Sequence, residues 1–175
     1  MDELAQKRVD IAIIEFNDHP SVVQDFVPLP QLKPVRLEAG GCTAMGEAIN
    51  MAIDKVKERN RLYNSMGTPC YKPWIFMITD GLPTDDISLA QQRIKEEESK
   101  GQHGKLKFWA VGVPGASEDT LKSLSKRVIA LNEAKFDGIF NWVSESMVAI
   151  SVSQVGENPQ LGNLPNDAHV IPSDW

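Results

Sequence analysis

Six residues in the middle of the chain, Trp74-Ile75-Phe76-Met77-Ile78-Thr79, form an unbroken apolar, β-favouring run. It is too short for a free-standing helix. Apolar on both faces, it reads as a buried parallel strand with helices above and below. The run stops at Asp80-Gly81, and Leu82-Pro83-Thr84-Asp85-Asp86 follows before a helical pattern resumes. A carboxylate thus sits at the carboxyl end of a central strand, where open α/β sheets place their ligand crevice.

The rest of the chain repeats this alternation. Residues 1–8 read as the last turns of a helix, and Val9 to Phe16 as an apolar strand ended by Asn17-Asp18. Residues 21–29 suit a shorter strand, which Pro28 and Pro30 place at a sheet edge because proline gives a ladder no donor. Pro34 and Gly40-Gly41 mark a loop. Thr43 then opens the longest helical pattern: Met45, Ala48, Ile49, Ala52, Ile53 and Val56 recur three and four apart. Gly67 and Pro69 end it. Asp86 or a neighbour caps a helix to about Ser99, with Ile87, Ala90 and Ile94 inward and Lys95 to Lys100 as a solvated face. Lys105 to Val113 is another buried strand. Ser117-Glu118-Asp119 starts a helix, since acids in the first turn complement its dipole. A short strand near Val128 to Leu131 precedes a helix from about Phe136 to Val152, with Ile139, Trp142, Val143, Val148 and Ile150 as core candidates. From Gly156 onward no period is visible, and residues 156–175 are set apart as a C-terminal tail, disordered or laid along the surface.

Strands alternating with helices over 175 residues make an α/β domain: three layers, a mainly parallel sheet, and helices on both faces. A net charge of -6 with scattered Lys and Arg argues against nucleic acid as a partner. No apolar run approaches the roughly 18 residues of a membrane span, and MDELAQKR lacks the apolar core of a signal peptide. A cytoplasmic setting is expected. Cys42 and Cys70 make neither a metal-type spacing nor a disulfide framework, which suits a reduced compartment. Cys42 reads as a buried small hydrophobe ahead of a reactive thiol at a helix start. Trp74 and Trp109 read as core, and Trp142 as helix packing.

Two features carry chemistry. Asp80 closes a strand, and Gly40-Gly41-Cys42-Thr43 brings a hydroxyl to a glycine-rich turn leading into a helix. Both oxygens are hard ligands of the kind Mg²⁺ takes. Each also has a plainer reading: Thr43 as a helix N-cap, Asp80-Gly81 as a turn, Asp85 and Asp86 as caps.

Together and in this order, the segments KRVDIAIIEFN, GGCTAMGEAI, YKPWIFMITDGLPTDD, FWAVGV and FNWVSESMVAISVSQ resemble the von Willebrand factor A (vWA) domain, in particular its bacterial YegL-like and TerY-like branch. The resemblance implies a Rossmann-like vWA fold over residues 1–155. It also implies a metal-ion-dependent adhesion site (MIDAS) built from an Asp-x-Ser-x-Ser motif after the first strand, a Thr in the second loop and an Asp after the fourth strand. Thr43 matches the second part and Asp80 the third; Gly41, Cys42, Gly81, Thr84 and Asp85 fall on the partner-binding rim. No Asp-x-Ser-x-Ser occurs, and the family's first strand and most of its first helix have no counterpart here. The fold is therefore expected to be N-terminally incomplete, with weak Mg²⁺ (or Mn²⁺) binding and room for a dimer or for strand complementation.

The function implied is a non-enzymatic protein–protein interaction module whose metal is completed by a partner's carboxylate. A scaffold in a bacterial stress-response system, tellurium-resistance-like or phosphosignalling, is the corresponding setting. The alternative is a metal-dependent hydrolase or phosphoryl-transfer enzyme using Asp80 with Asp85 or Asp86. Against it, the sequence offers no nucleophile–base pair.

Overall fold

The computed structural model describes residues 9–36, 41–80, 82–100, 105–133, 136–153 and 161–172. Strands β1 (Asp10–Phe16) and β2 (Pro20–Pro28) pair antiparallel, and a 3₁₀ turn, Leu29–Gln31, follows. Then come α1 (Met45–Ser65), β3 (Trp74–Thr79), α2 (Ser88–Ser99), β4 (Lys107–Gly112), α3 (Glu118–Leu124), β5 (Val128–Leu131), α4 (Asp137–Val152) and β6 (Ala168–Ile171). The second sheet has the order β3-β4-β5-β6; its first three strands are parallel and β6 is antiparallel.

Side-chain alternation divides the core into two layers. Ile75, Met77, Phe108 and Ala110 face Met45, Ile49, Ile53 and Val56 of α1, Ala90 and Ile94 of α2, and Leu121 and Leu124 of α3. On the opposite face Val111, Ile129 and Leu131 meet Ile139 and Trp142 of α4. The architecture is thus the expected three-layer α/β fold with helices on both faces. The α1 stripe matches the sequence reading, each fully buried aliphatic contributing roughly 1.5–3 kcal/mol.

Four expectations are corrected. The run from Lys95 to Lys100 is not simply a solvated face, because Glu97 is 4% exposed and held by Lys57 and Lys100 at 3.0 and 2.7 Å. The Glu98 side chain is buried as well and paired with Arg127 and Lys126. Charge can fold inward there because cations from α1 and from the segment before β5 meet it. The segment from residue 156 is not without regular structure, since Ala168–Ile171 pairs with β5 and Ile171 is buried. Cys42 is exposed, not buried. Val148 and Ile150 are only half-buried, whereas Ile139 and Trp142 are buried as expected.

The central run is a strand with the expected limits, but it is not buried alike on both faces. Ile75, Met77 and Thr79 are buried, while Trp74, Phe76 and Ile78 are half-buried, as is every residue of β1. Among the described residues no ladder joins β1 to β3.

Candidate binding site at the carboxyl end of the sheet

The carboxyl ends of β1 and β3 converge on the first turn of α1. After β1, the Asn17 carbonyl accepts the Ala44 N–H at 2.9 Å. The Asp18 carboxylate accepts the Cys42 N–H at 2.7 Å, which holds its pKa below the usual carboxylate value. Gly41 has φ +73°, a left-handed conformation that suits glycine, and a Cβ there would lie 2.7 Å from Asp18 Oδ1. Beyond β3, Thr43 N–H donates to Thr84 Oγ1 and Thr84 N–H donates to the Thr43 carbonyl, both at 3.0 Å.

Helix α1 starts at Met45 with Ala44 at the N-cap position, which carries no side-chain cap. Thr43 is therefore not the cap. The orphan donors of the first turn are met from the other loop, where Asp85 accepts the N–H groups of Gly46 and Glu47 at 3.0 and 2.9 Å. Asp86 accepts the Ser88 N–H at 2.9 Å just ahead of α2, whose N-cap position is Ile87 and carries no side-chain cap.

Hydrogen bonds thus tie Cys42 to Asp18, Thr43 to Thr84 and Asp85 to Gly46 and Glu47 at this end, with Gly41 turning the chain beside Asp18. Asp80 directly follows β3 at the same end and is exposed. Gly81 lies outside the described residues. Asp18 belongs to the same rim and was missed, although it carried the signal that singled out Asp80: an acid just beyond an apolar strand.

For a hard cation the donor chemistry is suitable but sparse. Among the described residues no group of three or more His, Cys, Asp or Glu is placed to hold a metal ion. Asp85 is committed to the helix start and Asp18 to the Cys42 amide. The Thr43 hydroxyl and the Asp80 carboxylate take no part in these bonds.

This geometry can be compared with known proteins. No family model matches the sequence, and no curated protein does. Among solved structures, the chain is similar to the crystal structure of the ArnB paralog VWA2 from Sulfolobus acidocaldarius, with TM-score 0.51 and 18% identity. The fold is vWA-like. The match covers 82% of this chain and 37% of the Sulfolobus chain, so the vWA-like chain described here spans little more than a third of that protein.

Proposed function

We propose that this vWA-like chain is a non-enzymatic protein-interaction module that presents the carboxyl-end rim to a partner. Thr43 and Asp80 hold Mg²⁺ or Mn²⁺ weakly, and a carboxylate from the partner protein completes the ion. Gly41, Cys42, Thr84 and Asp85 form the surround. The observation that carries the reading is the division of labour at the rim: Asp18, Thr84 and Asp85 lock the loops, while the Thr43 hydroxyl and the Asp80 carboxylate have no hydrogen-bond partner among the described residues. When bound, the ion would supply a positive charge and an open position for an oxygen ligand. The commitment of Asp85 to backbone amides also removes it as a second acid for the hydrolytic alternative.

A scaffold role in a bacterial stress-response or phosphosignalling system, of the YegL-like or TerY-like kind, fits a binding module of this shape. Two free, exposed thiols, Cys42 and Cys70, support a reducing cytoplasmic setting. Among the described residues no helix is long and apolar enough to cross a membrane.

Calorimetric titration with Mg²⁺ and with Mn²⁺ tests the reading. The expected result is weak binding that Thr43→Ala and Asp80→Ala each abolish and that acetate strengthens. Binding that survives both substitutions, or no binding with or without acetate, would overturn the metal part of the proposal. Release of phosphate from a generic phosphomonoester, lost in Asp80→Ala, would overturn its non-enzymatic part.

A further inference from the structure

We propose that the amino ends of β3, β4 and β5 carry a binding site for a phosphate dianion, held by Lys72, Lys107 and Arg127. It lies at the end of the sheet opposite Thr43 and Asp80 and is independent of any metal.

The ladder registers bring these residues together. Lys107 opens β4 beside Trp74, the first residue of β3, and Lys72 stands just ahead of that strand. Arg127 precedes β5, its carbonyl accepting the Ala110 N–H at 3.0 Å. Lys107 Nζ lies 5.2 Å from the centroid of the Trp74 ring, and Arg127 Cζ 5.8 Å from that of Trp109. The two indoles are themselves 5.4 Å apart, and both pack on the cluster that α4 covers. Lys107 and Arg127 therefore stand on one face of the sheet.

The acid that meets these cations is turned inward. The Glu98 side chain is 2% exposed, whereas those of Arg127 and Lys126, which pair with it, are 24% and 37% exposed. Glu98 Oε1 also accepts the Phe108 N–H at 2.9 Å. Glu98 is thus an anchor beneath the cations. It fixes Arg127 through Nη1, and the Nε and Nη2 donors have no acceptor among the described residues.

Charge does not balance here. Four cations, Lys72, Lys107, Lys126 and Arg127, surround this one carboxylate, in a chain whose net charge is -6. Neither Lys72 nor Lys107 has an ion pair among the described residues. Burial lowers the pKa of both, and the charge of Arg127 lowers them further. A half-buried ammonium beside like charges is unfavourable until an anion meets it. The indole faces attract the cations but cancel no charge.

That surplus selects the ligand. Four cations less one carboxylate leave three positive charges. A ligand carboxylate would cancel one of them. A phosphate monoester brings close to two negative charges and three strong acceptor oxygens. Lys72, Lys107 and the outer donors of Arg127 can each give it a charge-assisted hydrogen bond. The cluster is a point and not a stripe, so it suits one phosphate group and not a nucleic-acid backbone.

The test is an NMR titration of the full 175-residue chain with inorganic phosphate, in EDTA and at an ionic strength held constant with chloride. The indole N–H resonances of Trp74 and Trp109 should move saturably, while the Thr43 and Thr84 amides stay in place. Lys72→Gln and Lys107→Gln should each weaken binding about tenfold or more, the scale of one charge-assisted bond, without lowering the melting temperature. Lys55→Gln, whose lysine pairs with Asp25 on the other sheet, should bind as the wild type does. No saturable movement, movement that chloride reproduces, or the same affinity in all three variants would overturn the proposal. Phenyl phosphate and a short phosphoserine peptide then separate the sources. Tighter binding of phenyl phosphate sustains the proposal with a small phosphorylated metabolite as ligand, and tighter binding of the peptide sustains it with a phosphorylated protein. Peptide binding that survives removal of its phosphate would overturn it.

Discussion

Asp85 caps the start of a helix from 39 residues away, its Oδ1 accepting the Gly46 N–H at 3.0 Å. Its other oxygen takes the Glu47 N–H, so one carboxylate satisfies two orphan donors of α1 and pins the loop after β3 to them. A negative charge at this place also complements the helix dipole. Asp85→Ala should cost about 1–2 kcal/mol, the range for a lost N-terminal cap, and Asp85→Asn less, since one acceptor survives. Urea denaturation monitored by tryptophan fluorescence measures both.

Gly46 is a glycine because of the same contact. It sits in the first turn of α1, where alanine would ordinarily be favoured by about 1 kcal/mol. A Cβ there would lie 2.5 Å from the Asp86 carbonyl oxygen and 3.0 Å from Asp85 Oδ2. Backbone has little freedom to give way. Gly46→Ala should therefore destabilise by about 1–3 kcal/mol, as overpacking does. A rise in the denaturation midpoint would show that the loop yields instead.

At Asp18 the expected outcome is spectroscopic. The Cys42 backbone amide bonded to its carboxylate is the first cause of its lowered pKa. The folded group thus stays ionised at pH values where the unfolded one has begun to protonate. The contact is complete above the unfolded value, near 3.8, and is lost as pH falls through the lower folded value. The Cys42 amide resonance should report this, moving with a midpoint below 3.8. In Asp18→Asn that movement should disappear, leaving the amide insensitive over the same range.

How far the molecule could be read in advance follows from where each signal resides. The α1 stripe and the Trp74–Thr79 strand are local patterns, and both were legible with close boundaries. The role of Asp85 was not, because its partners are brought near only by the fold. Glu97 and Glu98 were misread for the same reason: a run of charge looks solvated until Lys57, Lys126 and Arg127 arrive from other elements. Strand β6 was hidden because Ala168 to Ile171 is short and lies among prolines and glycines. Cys42 was expected inside on the general habit of cysteine, but the left-handed turn at Gly41 and the grip of Asp18 on its amide leave it at the surface.

The buried charge on α2 gives the last expected outcome. Burial pushes the Glu97 pKa up, but the hydrogen bonds from Lys100 and Lys57 and their charges outweigh it, and the net value lies below 4.5. A folded pKa below the unfolded one means that the unfolded chain binds the extra proton. The stability from this cluster is therefore fully present above pH 4.5 and is lost as pH falls through the folded value. Glu97→Gln keeps the shape and removes the charge. At neutral pH it should cost about 1 kcal/mol, because the two ammonium groups keep an amide oxygen as acceptor but lose the opposite charge. At pH values below the folded pKa the wild-type carboxyl is neutral too, and the gap between the two proteins should close. A Glu97→Gln penalty that stays the same from pH 7 down to the lowest pH at which both proteins fold would show that packing, not the ion pairs, is what this residue contributes.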